Sequence, residues 1–396
     1  MRAGVFLYPW DVVGDPAAAD RIAALGVQQV TLAAAYHSTR ALTPRHPRHR
    51  IVTAEHAAVL YPRDEGRWRG RELRPYAAGP WADGDPDAYG TAAAALAAAG
   101  LDVHTWVVLA HNSRLGAEHP AVAVVNAYGD RYPWALCAAQ PAVRAYLVDL
   151  AAEAAVRPGA RGTELESLGW YGLAHLHAHD KIAGVELDDA AAYVMSLCFC
   201  PHCREGYAGL GADPDALAAT VRTALAPAWT SEGAPGAGVP GIERLLGEEL
   251  TALTLDWRTR TARSLQERAV AAVRAAADPG FQVLMHADPV PYHCGANAGV
   301  DPAHILRHTD GLVLPCTGGP AVREAMLGPT APHRAEHTVL AANFAVVAGM
   351  GGSPATLAAD AEHAAALGAT ELRLYHAGLA SEADLAAVRT ALNEVR

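Results

Sequence analysis

The chain starts MRAGVFLYPWDVVGDP, residues 1–16, and its fold turns on how this stretch is read. Residues 3–8 form a short apolar run of β character, and Tyr8, Trp10 and Asp11 follow at its end. A doubly wound nucleotide-binding sheet places a Gly-rich phosphate loop directly after its first strand. Here aromatic rings and a carboxylate stand in that place. Barrel strands end in this way, because their last side chains converge on one cavity.

The same alternation runs through the rest of the chain. Apolar, β-branched runs at 3–8, 29–34, 103–109, 162–168, 281–285, 311–314, 338–342 and 371–375 predict eight strands. Segments of helical period lie between them, at 17–25, 86–99, 141–155, 249–276 and 354–366. Eight strands separated by helices predict an α/β fold, a single (β/α)8 TIM barrel over residues 1–396. Long loop insertions are expected after strands 2 and 4. The first, about 37–80, crowds Arg45, Arg48, Arg50, Arg63, Arg67, Arg69, Arg71 and Arg74 together. Arginine forks recognise phosphate or carboxylate, but a self-spaced, solvated charged loop is the simpler reading. The second insertion, 169–279, contains TSEGAPGAGVPG (230–241), read as a flexible spacer.

Composition narrows the function. With 396 residues, 51% of them hydrophobic, the chain can bury a large core. A net charge of −11 argues against nucleic acid as a partner. No run approaches the apolar length of a membrane span, and the N-terminal residues lack the apolar core of a signal peptide, so a cytoplasmic location away from membranes is expected.

The strand ends form the candidate site. They carry Tyr8, Trp10 and Asp11 on the first, Tyr36 and His37 on the second, and His111 and Asn112 on the third. Glu164 and Glu166 lie on the fourth, His286 and Asp288 on the fifth, Cys316 on the sixth, Asn343 on the seventh, and Tyr375 and His376 on the eighth. Rings stack on the C–H faces of a sugar while carboxylates and imidazoles hold its hydroxyls, so a small-molecule carbohydrate or polyol is the expected substrate. The same groups also suit a catalytic divalent metal.

Three of the six cysteines sit in LCFCPHCR, 197–204. Cys198, Cys200 and Cys203, with Cys137 as a fourth, give the spacing that wraps one tetrahedral Zn²⁺ and leaves no open position, hence a structural ion. Reduced cysteines without metal are the plain alternative. A redox role for Cys200 and Cys203 is weaker, because no thioredoxin-like βαβ pattern surrounds them. In LAHLHAHDK, His175, His177 and His179 alternate; extended, they could bind a second metal, and otherwise they are a solvated loop. Glu186, Asp188 and Asp189 fit either ligation or an acid-rich helix N-terminus.

The C-x-C-x-x-C cluster followed by REGYAGLG resembles the zinc clamp of family 42 glycoside hydrolases, the β-galactosidases. LCAAQPAVRAYLVDLAAE followed by GTELESLGW is similar to a wider set of glycoside-hydrolase-like TIM barrels. Together the resemblance covers about 103–209. It implies an acid/base role for Glu166, with Glu164 as second choice. It also implies a second carboxylate on the seventh strand, where this chain reads TVLAANFAVV and offers Asn343. Asp288 or Asp11 would have to take its place, since glycosidases need two carboxyl groups.

Three functions follow from the sequence. The first is a glycoside-hydrolase-like enzyme using Glu166. The second is a metal-dependent sugar isomerase, epimerase or lyase using His111, His286, His376 and Glu166. The third is a non-catalytic sugar-binding barrel.

Overall fold

A computed structural model describes residues 1–79, 84–173, 181–182, 184–230 and 236–395. Eight parallel strands close into a barrel: β1 (Arg2–Leu7), β2 (Gln29–Tyr36), β3 (Asp102–Val108), β4 (Gly162–Glu166), β5 (Gln282–His286), β6 (Gly311–Pro315), β7 (Val339–Ala345) and β8 (Glu371–Tyr375). Each pairs with the next, and β1 pairs with both β2 and β8, so the ring has no open edge. All eight predicted strands are present. Two boundaries differ in ways that matter. The fourth was expected to reach residue 168 but stops at Glu166, because Ser167 turns into the left-handed region at φ 58°. The seventh was expected to stop at residue 342 but runs on to Ala345, which places Asn343 inside the strand, opposite Arg373.

The helices start where the sequence supplies caps. Pro141 opens the helix Pro141–Ala155, and Asp213 caps Pro214–Leu225 by accepting from the Asp215 and Ala216 amides. Asp188 caps Asp189–Met195, which accounts for the acids there as a helix start. Of the expected flexible spacer at 230–241, residues 231–235 lie outside the described residues. Its end, from Gly238, already belongs to the helix Gly238–Leu246, whose apolar side packs Ile242 and Leu246 into the interior.

Two hydrophobic cores result. The main one fills the barrel and the space beneath its helices. The second lies beside it, built from the hairpin strands Ala123–Val125 and Arg131–Leu136 and the helices between β4 and β5. The 29-residue helix Glu248–Ala276 serves both. Ala262 packs in the second core, whereas Leu265, Ala269, Val270 and Val273 pack in the first.

Candidate active site at the barrel mouth

The barrel interior carries a charged layer. Glu164, fully buried, accepts hydrogen bonds through Oε1 from Arg373 Nε (2.7 Å), Thr31 Oγ1 (3.0 Å) and Gln29 Nε2 (3.1 Å). Arg373, equally buried, also donates to Glu371 Oε2 at 2.8 Å. Burial alone would push the Glu164 carboxyl up. The Arg373 guanidinium, with His286 behind it, outweighs that and holds it well below the usual carboxylate range.

Two residues along the strand, on the same face, Glu166 stands one layer nearer the mouth. Its Oε2 accepts from Trp106 Nε1 at 2.6 Å. His286 lies between the layers, with Nε2 3.6 Å from Glu164 Oε2 and Nδ1 3.8 Å from Glu166 Oε2. The two glutamates therefore differ in kind: Glu164 is locked in an ion pair inside the barrel, and Glu166 borders the mouth.

Rings surround Glu166. Tyr8 stacks on Trp10 with centroids 4.4 Å apart and donates its hydroxyl to Tyr36 (2.9 Å), while His376 Nδ1 lies 3.0 Å from the same hydroxyl. Tyr36 stacks on His37 at 4.1 Å, His37 approaches His111 at 4.5 Å, and Tyr171 reaches His111 Nδ1 with its hydroxyl at 3.2 Å. Trp106 meets Tyr36 edge-on at 4.6 Å and Tyr375 at 5.5 Å. Burial pushes the Tyr8 and Tyr375 hydroxyls well up and the His376 imidazole down to about 3, so these groups enter the site neutral. His376 has φ 65°, in the left-handed region, and like Ser167 it sits at the end of a barrel strand. Such backbone strain, of order 1–3 kcal/mol, gathers at functional sites.

The remaining candidates divide. Asn112 is a helix cap, accepting from the Leu115 amide at 3.0 Å. Asp11 accepts from the Tyr8 amide at 2.8 Å and is pressed against Gly378, where a Cβ would meet its Oδ2 at 1.8 Å. Burial pushes its carboxyl up to about 7, the lowering effects of the Tyr8 amide and Arg45 being smaller. Asp288 is more open. It accepts from the Val290 amide at 3.0 Å and pairs with His293 Nδ1 at 2.8 Å. Asn343 Oδ1 is buried without a hydrogen-bond partner among the described residues. Cys316 is buried in the main core. His175, His177 and His179 lie outside the described residues.

Sequence reasoning missed Trp106, Tyr171, Arg373 and the roof of the site. The roof is the hairpin Thr39–Leu42 with Ile51–Ala54, and a cavity of about 400 Å³ lies between it and Trp10, Tyr36 and His37, also lined by His49, Glu55 and His56. Trp106 was legible in principle, being two residues from a strand end with an inward parity. The arginine-rich loop is partly an architectural clasp: Arg45 donates to the carbonyls of Ala377, Gly378 and Ala380, tying the roof to the end of β8.

In the second core, Cys137, Cys198, Cys200 and Cys203 are all buried, with their sulfurs within 4.8 Å of one another, a set that could hold a metal such as zinc. Cys137 Sγ lies 3.6 Å from Cys203 Sγ and 3.7 Å from Cys200 Sγ, and the Val125 and Cys200 amides donate to Cys198 Sγ, each at 3.5 Å. Hydrogen bonding from Cys137, Cys198 and Cys203 draws the Cys200 thiol strongly down.

No known family profile and no curated protein matches the sequence. Solved structures do match, glycoside hydrolases among them. The fold is similar to α-L-fucosidase isoenzyme 2 from Paenibacillus thiaminolyticus, with a TM-score of 0.55 and 14% identity over 100% of this chain and 49% of that one. It is similar to the catalytic domain of β-amylase from Paenibacillus polymyxa, with a TM-score of 0.55 and 12% identity over 100% and 98%. It is also similar to a catalytic mutant of Gan42B, a GH42 β-galactosidase from G. stearothermophilus, with a TM-score of 0.54 and 12% identity over 100% and 56%. The chain thus spans about half the length of the fucosidase and the β-galactosidase and nearly all of the amylase domain. The class defined here is a TIM barrel with the fold of glycoside hydrolases, carrying a buried four-cysteine cluster at its side.

Proposed function

We propose that the protein is a glycoside-hydrolase-like enzyme acting on a carbohydrate or polyol, with Glu166 as general acid/base. The observation that carries this reading is the Glu166 carboxyl group, which accepts from the Trp106 indole N–H at 2.6 Å at a mouth walled by neutral rings. A carboxyl group so placed can hand a proton to a leaving glycosidic oxygen while the rings stack on the sugar. Asp288 serves as the second carboxyl group. It lies two residues beyond His286 on the same strand line, and its pairing with His293 keeps it oriented. Asp11 suits that role less well, since its carboxyl is held against Gly378 and the Tyr8 amide. Glu164 acts through position, its charge spent on Arg373.

The metal-dependent isomerase has less support. Among the described residues, the strand-end histidines and Glu166 do not bring three ligand atoms within 4.8 Å of one another.

The four cysteines fit a structural zinc. Bonds of about 2.3 Å to the corners of a tetrahedron put neighbouring sulfurs about 3.8 Å apart, and Cys137 Sγ lies 3.6 Å from Cys203 Sγ and 3.7 Å from Cys200 Sγ. The amides on Cys198 are the donors a bound thiolate uses. With all four positions filled by sulfur, such an ion would stabilise the fold and take no part in turnover.

The test is turnover of a panel of aryl glycosides. Glu166→Gln should lower kcat by about 10²–10⁴-fold with the fold intact by circular dichroism. Unchanged turnover in that variant would remove Glu166 from the chemistry. Thermal stabilisation by sugars with no product from any of them would favour the non-catalytic sugar-binding barrel.

A further inference from the structure

Outside the mouth and outside the cysteine cluster, a third set of ligating side chains converges. His304, in the short helix Pro302–Ile305, and His308, one turn further on, face Glu267 of the helix Glu248–Ala276. Glu267 Oε1 lies 2.9 Å from His304 Nε2 and 3.5 Å from His308 Nε2, and the three atoms lie within 4.8 Å of one another. Four residues apart on a helical turn, two imidazoles point the same way and can share one ion.

We propose that Glu267, His304 and His308 bind a divalent transition-metal ion of the zinc, cobalt or nickel class. Two imidazoles and a carboxylate are the donors that such borderline ions take in place of the hard oxygen set of Mg²⁺ or Ca²⁺. A second observation points the same way. His304 Nε2 is buried and makes no hydrogen bond of acceptable geometry, although a carboxylate oxygen stands 2.9 Å away. The nitrogen and the oxygen sit side by side and do not point at each other; an ion between them and His308 satisfies all three. Unlike the cysteine set, this one offers three ligands and leaves coordination positions for water, with the His308 and Glu267 side chains 36% and 43% exposed. Its ion is exchangeable, and it ties the long helix to the segment leading into β6.

The same geometry contains a competitor. Arg307 Nη2 lies 2.8 Å from His304 Nδ1 and donates to it, which puts the imidazole proton on Nε2. Metal binding at Nε2 moves that proton to Nδ1, and Arg307 must then let go of the ring. It keeps a bond from Nη1 to the Ala303 carbonyl at 2.8 Å. The other nearby cation, Arg263, is already neutralised by Asp301.

Calorimetric titration of the full-length protein with Zn²⁺ alone provides the test. Beyond the equivalent taken by the four cysteines, one further equivalent should bind. Its affinity should fall at least about tenfold in His308→Ala, at an exposed position, and in Glu267→Gln, at a half-buried one. The exposed His333→Ala should leave it unchanged, and Arg307→Ala should tighten it. Crystals soaked in Zn²⁺ should show an anomalous peak between the three side chains. The proposal is overturned if Zn²⁺ uptake by His308→Ala and Glu267→Gln equals that of wild type, whatever the cysteines hold.

Discussion

The barrel interior and the cysteine-bearing flank are held together for opposite reasons. Inside the barrel, beneath the mouth, residues of three strands hold one another by charge and hydrogen bond: Arg373 on β8 grips Glu164 on β4, and Gln29 and Thr31 on β2 complete the layer. On the flank, the buried side chains are mostly apolar, and the polar meeting point is four thiols, one of them more than sixty residues from the others. A buried ion pair is costly to assemble and worse to break, because the surviving partner is left charged in a dry interior. A sulfur cluster costs little when reduced and gains its strength from an ion. The difference teaches which region can loosen by itself. The joint between them is the segment after β4, where Trp170 and Tyr171 pack in the second core while the Tyr171 hydroxyl reaches His111 at the mouth.

Breaking the charged layer should have the largest effect on stability. Arg373→Met strands Glu164 and should cost about 3–5 kcal/mol, read as a fall in the urea midpoint; a cost below about 1 kcal/mol would mean that water reaches the layer. Opening the flank should cost less. Cys200→Ser should lower stability by about 2–3 kcal/mol, the upper part of the range for single substitutions. Any metal the cluster holds should leave with it, and hydrogen exchange should rise first in the helices Asp189–Met195 and Pro201–Gly209. Turnover per folded molecule should change only through the Tyr171 contact. If kcat collapses while the fold persists, the two regions are coupled more tightly than this joint implies.

The smallest effect concerns pH. Burial depresses His376 from the ordinary imidazole value of about 6.5 to about 3. Between those values the unfolded chain takes up a proton that the native state refuses, so stability present above about 6.5 is lost as the pH falls. His376→Asn, which tolerates the left-handed φ, should flatten this loss by about 1 kcal/mol over the first pH unit below 6.5. Asp11 runs the other way. Its carboxyl is raised to about 7, so stability present at pH 4 is lost as the pH rises through 7. Asp11→Asn should therefore gain on wild type at pH 8 relative to pH 5. Denaturant melts across this range separate the two.

Much of the fold was legible in the chain. Strand runs and helical periods mark out eight βα units, because inward and outward parity and the 3.6-residue repeat are local properties. Caps such as Asp188 and Asp213 are local too. The strand ends were also readable, since parity alone puts Tyr8, Glu166, His286 and Tyr375 near one cavity. Tertiary structure alone decided what each does there. Glu164 and Glu166 look interchangeable in sequence, yet one meets a buried arginine 209 residues away and the other meets Trp106. Which carboxyl meets a cation and which meets an indole N–H depends on partners from other strands, and neither is written in a neighbouring residue. The same holds for Glu267 against the His304 and His308 pair, and for the hairpin that roofs the mouth: the four-residue spacing of the two histidines is local, but the partner that meets them comes from another element.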